Sequence, residues 1–184
     1  CPDKNYVFDF NDSKESWISG GQSNLTLGND AMNINANGSS PVARSGNLTA
    51  DLNLNAADYN TARVTFRTPY AMAGAGVGKL YFYNLAGGNT QFAVFNLPRD
   101  AANTTTFQTV EIDLSNPTTG TFSGPIARVG FRAPWGIASG DVCHLQKIEL
   151  FHQQELFFSE YAEGSSNNKY LEIYNGNSFS VSLD

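Results

Sequence analysis

Apolar and amide side chains alternate one by one in Met32-Asn-Ile-Asn-Ala36, and that period of two strongly limits what the segment can become. Successive side chains of an extended strand point to opposite faces, so Met32, Ile34 and Ala36 can face a core while Asn33 and Asn35 face water. The same pattern recurs along the first 150 residues, punctuated by Gly, Asn, Asp and Pro, and nowhere is there a window with a helical stripe. It predicts strands over 6–10, 24–27, 31–36, 41–45, 49–54, 62–68, 79–85, 91–97, 108–114, 127–132 and 142–150. So many short strands with one wet face imply an all-β domain built as two packed sheets. The small residues from Ala71 to Gly78 predict a loop.

Charged residues make up only 15% of the 184-residue chain, and Asn, Thr, Ser and Gly fill the polar positions. A surface hydrated by amides and hydroxyls suits an exported protein, so the chain is expected to be extracellular or on an outer cell surface. The net charge of −6 leaves no basic stripe for a phosphate backbone, so nucleic acid is not expected as a partner. Acidic glycans would be repelled as well unless a local arginine or a bound cation intervenes. No apolar run approaches the roughly 18–20 residues of a membrane span.

Residues 151–154 predict a short linker, and 155–184 have strand, turn and strand in a segment too short to bury a core of its own. Leu156, Phe158 and Tyr161, then Leu171, Ile173, Phe179, Val181 and Leu183, supply its apolar side chains. The run Leu156-Phe-Phe-Ser-Glu-Tyr-Ala-Glu-Gly-Ser-Ser-Asn-Asn-Lys169, followed by Leu171-Glu-Ile-Tyr-Asn175, resembles the start of the bacterial lamin-tail domain. That resemblance implies the first strands of a second, immunoglobulin-like sandwich, left incomplete.

Cysteine occurs twice, as Cys1 and Cys143. A cysteine at the first position is what a bacterial lipoprotein presents after signal-peptidase cleavage, so Cys1 is a candidate for lipid attachment, the one route by which this chain would meet a membrane. A boundary falling there by chance and a disulfide to Cys143 are the alternatives. Cys143, between Val142 and Leu145, reads most simply as a buried thiol.

Phe8-Asp-Phe10 with Trp17, Asp58-Tyr59 leading to Ala62-Arg-Val-Thr-Phe-Arg67, Phe107-Gln-Thr-Val-Glu-Ile-Asp-Leu114, Ile126-Ala-Arg-Val-Gly-Phe-Arg132 and Gly140-Asp-Val142 leading to Ile148-Glu-Leu150 form a pattern. It is similar to that of the jelly-roll, galactose-binding-like modules of secreted carbohydrate-active proteins. The resemblance implies a jelly-roll β-sandwich over 1–150 that binds polysaccharide or a surface glycan without catalysis. Two alternatives stay open. One is a surface lipoprotein docking a membrane-complex protein; the other is an accessory region of a larger secreted hydrolase or nuclease.

Sugar binding calls for an aromatic platform with an amide or guanidinium to fix hydroxyls. Trp135, presented between Pro134 and Gly136, is the leading candidate, with Arg132, Tyr70, Tyr81 and Tyr83 completing a site. Tyr81 and Tyr83 share one face of their strand and Leu80 and Phe82 the other, so one pair is expected in the core and the other at the surface. Trp17 reads as core. Arg67, Arg99 and Arg128 read as surface or cross-strand pairing groups.

A structural calcium is the one cofactor expected. Asp9, Asn11 and Asp12 would converge with Asp141 and Glu149 if the first and last strands are neighbours, and related sandwiches hold an ion in such a place. The strand Glu111-Ile-Asp113 with Asn116 resembles the Glu-x-Asp-x-x-Glu of laminarinase-type hydrolases, but the amide at Asn116 cannot protonate a leaving glycosidic oxygen. Glu111 and Asp113 are therefore read as a solvent face. His144 and His152 lack any nucleophile or metal motif, and Cys143 and His144 point to opposite faces.

Overall fold

The computed structural model describes residues 4–28, 30–46, 52–68, 77–84, 90–97, 106–134, 140–153, 157–163 and 169–174. Its strands are β1 (Asn5–Asp9), β2 (Ile18–Gly21), β3 (Ser23–Leu27), β4 (Met32–Ala36), β5 (Val42–Arg44), β6 (Leu54–Asn55), β7 (Thr61–Arg67) and β8 (Lys79–Tyr83). There follow β9 (Gln91–Asn96), β10 (Gln108–Asp113), β11 (Thr119–Gly120), β12 (Pro125–Ile126), β13 (Arg128–Arg132), β14 (Val142–Phe151), β15 (Phe157–Glu163) and β16 (Lys169–Tyr174). One 3-10 turn, Ala56–Asp58, is capped by the Asn55 side chain.

The first sheet runs β10-β7-β14-β4-β3, and β1 also pairs with β14, end to end with β4. The second runs β11-β9-β8-β13-β5-β2. Their inner faces meet as an all-β, jelly-roll sandwich, the two packed sheets expected from the alternation and the jelly roll from the resemblance. On the first sheet Met32, Ile34, Val64, Phe66, Ile148 and Leu150 are buried, and on the second Leu80, Phe82, Phe95, Val129 and Phe131. Each such side chain removed from water contributes about 1.5–3 kcal/mol before chain entropy is set against it. Phe66 of β7 meets Phe131 of β13 at 5.9 Å, which joins the two layers. Trp17 closes one end edge-on against Phe8 and Phe10, both at 5.1 Å, so its core assignment holds.

Several boundaries differ from the sequence expectation. β2 has no alternating pattern; it is held by pairing with β5 and by the Ser19 and Ser23 hydroxyls, 3.0 Å apart, with Ser23 donating to the Val42 carbonyl. The strand expected over 49–54 is described only from residue 52, where Leu54–Asn55 pairs with Pro125–Ile126. β14 continues through Phe151, one residue into the expected linker, and its ring packs beneath the Arg63 guanidinium at 4.6 Å. The Asn60 carboxamide then holds Gln153 from both sides, accepting from its N–H at 2.7 Å and donating to its carbonyl at 2.8 Å. Beyond it, β15 and β16 form an antiparallel pair of their own, Phe157 opposite Tyr174 and Glu163 opposite Lys169.

Candidate functional site

Antiparallel partners share a face, so strand register alone assembles the outer surface of the second sheet. Lys79 of β8 lies opposite Arg132 of β13, Tyr81 opposite Gly130, and Tyr83 opposite Arg128. Gly130 and Arg132 in turn face Arg44 and Val42 of β5. On the other flank Tyr81 pairs with Val94 and Tyr83 with Gln91 of β9. Three expected site residues, Tyr81, Tyr83 and Arg132, therefore stand on one face, backed by the core through Leu80, Phe82 and Phe131.

The tyrosines are not exposed. Tyr81 and Tyr83 keep 8% and 4% of their surface and form a second apolar cluster with Val94 and Val42, so all four residues Leu80 to Tyr83 are buried. The expectation that one pair would lie at the surface is thus corrected. For Tyr83 the physical reason is Gly130, whose missing side chain leaves the space the ring occupies. Burial raises both phenol pKa values, opposed at Tyr81 by Arg132 and at Tyr83 by a hydrogen bond with Gln91. Both phenols remain protonated donors at neutral pH. Arg132 also donates to the Val77 carbonyl at 2.6 Å, which orients its guanidinium beside Tyr81.

Arg128 is the second correction. Instead of lying at the surface it is 2% exposed, and none of its three guanidinium nitrogens has a hydrogen-bond partner. Burial and the neighbouring Arg44 lower its pKa. A guanidinium stays protonated even so, which makes this a buried positive charge.

Trp135, Tyr70, Cys1 and Arg99 lie outside the described residues. Cys143 is a free, buried thiol whose pKa burial pushes far up, as its flanking residues predicted, and no disulfide engages it. The expected calcium ligands are not brought together. β1 does pair with β14, but Asp9 lies opposite Lys147 and accepts from the Asn11 N–H. Asp141, just before the far end of β14, is roughly 20 Å away by strand rise. Glu149 pairs with Lys147 at 3.6 Å, and among the described residues no group of three His, Cys, Asp or Glu could hold an ion.

The outer surface of the first sheet carries the carboxylates. Asn60, Thr61, Glu111, Asp113, Ser115 and Gln153 line an open polar cleft of about 610 Å³. Arg63 holds Glu111 at 3.0 Å. Asp113 accepts from the Ser115 N–H and from the Asn116 amide; hydrogen bonding by the Ser115 side chain, then by these two groups, lowers its pKa. Asp113 is thereby kept ionised, and the Asn116 amide has no proton to give a leaving glycosidic oxygen. His144, also on this face, meets Asn33 at 2.6 Å, and its pKa is lowered by burial and by Arg67.

No protein-family model matches this sequence, and no curated protein matches it. Among solved structures, the fold is similar to that of the xylan-binding module CBM15, with a TM-score of 0.51 at 11% identity over 83% of this chain and 99% of that one. The xylan binding module CBM86 of Roseburia intestinalis gives a TM-score of 0.48 at 12% identity, over 80% of this chain and 94% of that one. The CBM22-2 xylan-binding domain of Paenibacillus barcinonensis Xyn10C gives 0.44 at 13% identity, over 80% and 98%. The likeness is one of fold, a jelly-roll β-sandwich.

Proposed function

We propose that the sandwich is a non-catalytic module that binds glycan on the outer face of its second sheet, in a protein exported to the outside of a bacterium. The observation that carries this reading is the convergence of Tyr81, Tyr83, Gln91, Arg44 and Arg132 on one face. Phenol hydroxyls, an amide and guanidinium groups are the donors that fix sugar hydroxyls, while Val42 and Val94 supply apolar contact. Because the tyrosine rings are recessed, binding is by hydrogen bonds more than by ring stacking. Trp135, three residues after Arg132 in the chain, is the proposed stacking platform. The fold of a xylan-binding module agrees with this reading but does not carry it, since one fold hosts many functions.

Residues 155–184 are read as the opening of a lamin-tail domain, which the antiparallel pairing of β15 with β16 supports. A glycan array followed by affinity electrophoresis of Arg132→Gln and Trp135→Ala tests the proposal. Retarded wild-type protein with weakened variants is the expected result; a wild-type chain that ignores every neutral and acidic polysaccharide ends it.

A further inference from the structure

The six strands of the second sheet contain Arg44, Lys79, Arg128 and Arg132 and no Asp or Glu. All four cations fall on the outer face, because register aligns Lys79 with Arg132 and sets Arg44 beside Gly130, between Arg128 and Arg132. In a chain of net charge −6 this is a strong local reversal of sign. Arg128 adds a second, independent observation: its buried guanidinium has no hydrogen-bond partner and is close enough to Arg44 for their like charges to repel. Arg44, Lys79 and Arg132 are half-buried, Arg44 next to Arg128 and the other two farther along the same face.

We infer that the glycan taken by this face is acidic, its charge a uronate carboxylate. The inference rests on the glycan-binding reading and names its substrate class. A carboxylate seated over the face is attracted by surface guanidinium groups that can hold it in a two-point contact, and by Arg128 from beneath. It also relieves the repulsion between Arg44 and Arg128. The recessed Tyr81 and Tyr83 hydroxyls donate to sugar oxygens on either side, and their raised pKa values keep them donors. The general repulsion expected between acidic glycans and an acidic protein is overcome locally, because screening confines the distant carboxylates to about 10 Å at 0.1 M salt.

Isothermal titration calorimetry tests this with polygalacturonate, alginate and glucuronoxylan, each beside its carboxyl-reduced, neutral form, and with dextran sulfate as a second anion. At least one uronate polymer is expected to bind tenfold or more tightly than its reduced form at 100 mM NaCl. That preference should shrink severalfold at 500 mM NaCl, and in Arg44→Gln with its thermal transition intact. Equal binding of native and reduced polymers overturns the inference while leaving the glycan reading standing. Tighter binding of dextran sulfate than of every uronate overturns the assignment of a carboxylate. No binding to any polymer overturns the inference and the glycan reading together.

Discussion

Tyr83 lies across Gly130: a Cβ built on that glycine would come within 2.9 Å of Cε2 and 3.0 Å of the phenol oxygen of Tyr83. The two residues belong to neighbouring strands, and the missing side chain of one is the space that the ring of the other occupies. Gly130→Ala should therefore push Tyr83 off the sheet and cost about 1–3 kcal/mol, as overpacking does. Thermal denaturation should show this moderate loss, while affinity electrophoresis shows a larger, severalfold loss of glycan retention. Unchanged retention in a folded variant would detach Tyr83 from the site.

Arg128 predicts the opposite pairing of effects. A buried charge without a partner costs several kcal/mol, and an unbranched apolar side chain of similar length fills its place. Arg128→Met is expected to stabilise the fold by about 1–4 kcal/mol, the range seen when buried ionic groups give way to apolar ones. It should also weaken binding of acidic glycan, a gain of stability at the expense of function. Chemical denaturation and calorimetry on the same variant check both halves.

His144 gives a pH dependence whose sign follows from its environment. Burial, then Arg67, depress its pKa in the folded protein below the usual 6.5. The unfolded chain therefore binds the proton first as pH falls, and stability drops from near pH 6.5 down to the lower folded pKa, below which this contribution is constant. Urea midpoints measured between pH 7.5 and 5 should fall for wild type and fall less for His144→Gln. Equal slopes would remove His144 as the cause.

Asn60 ties the sandwich to the segment leading to β15. Its side chain accepts from Gln153 and Thr61 and donates back to Gln153. Asn60→Ala should cost about 1–3 kcal/mol in hydrogen bonding. Hydrogen exchange at the Gln153 amide should quicken far more than in β14, and uniform protection would contradict this anchoring role.

How much was legible beforehand depended on whether the deciding interaction was local. In Met32–Ala36 and Gln108–Asp113 the inward and outward positions follow from alternation, so class, strands and much of the core could be read directly. The faces of Tyr81, Tyr83 and Arg132 were likewise readable by parity. The burial of Tyr83 was not, because it depends on Gly130 in another strand, nor was that of Arg128, which its own segment does not reveal. Gln91 and Arg44 were missed as site residues since only register brings them there. Asp9 and Asp141 show the converse: neighbouring strands were expected, but which ends of them would meet is a property of register that neither segment contains alone.

The central claim is that ligand binds the outer face of the second sheet. Amide chemical-shift mapping during titration with the best-binding glycan tests it most directly. The account predicts the largest shifts at Tyr81, Tyr83, Gly130 and Arg132. Shifts confined to Arg63, Glu111 and Asp113 on the other sheet would contradict it.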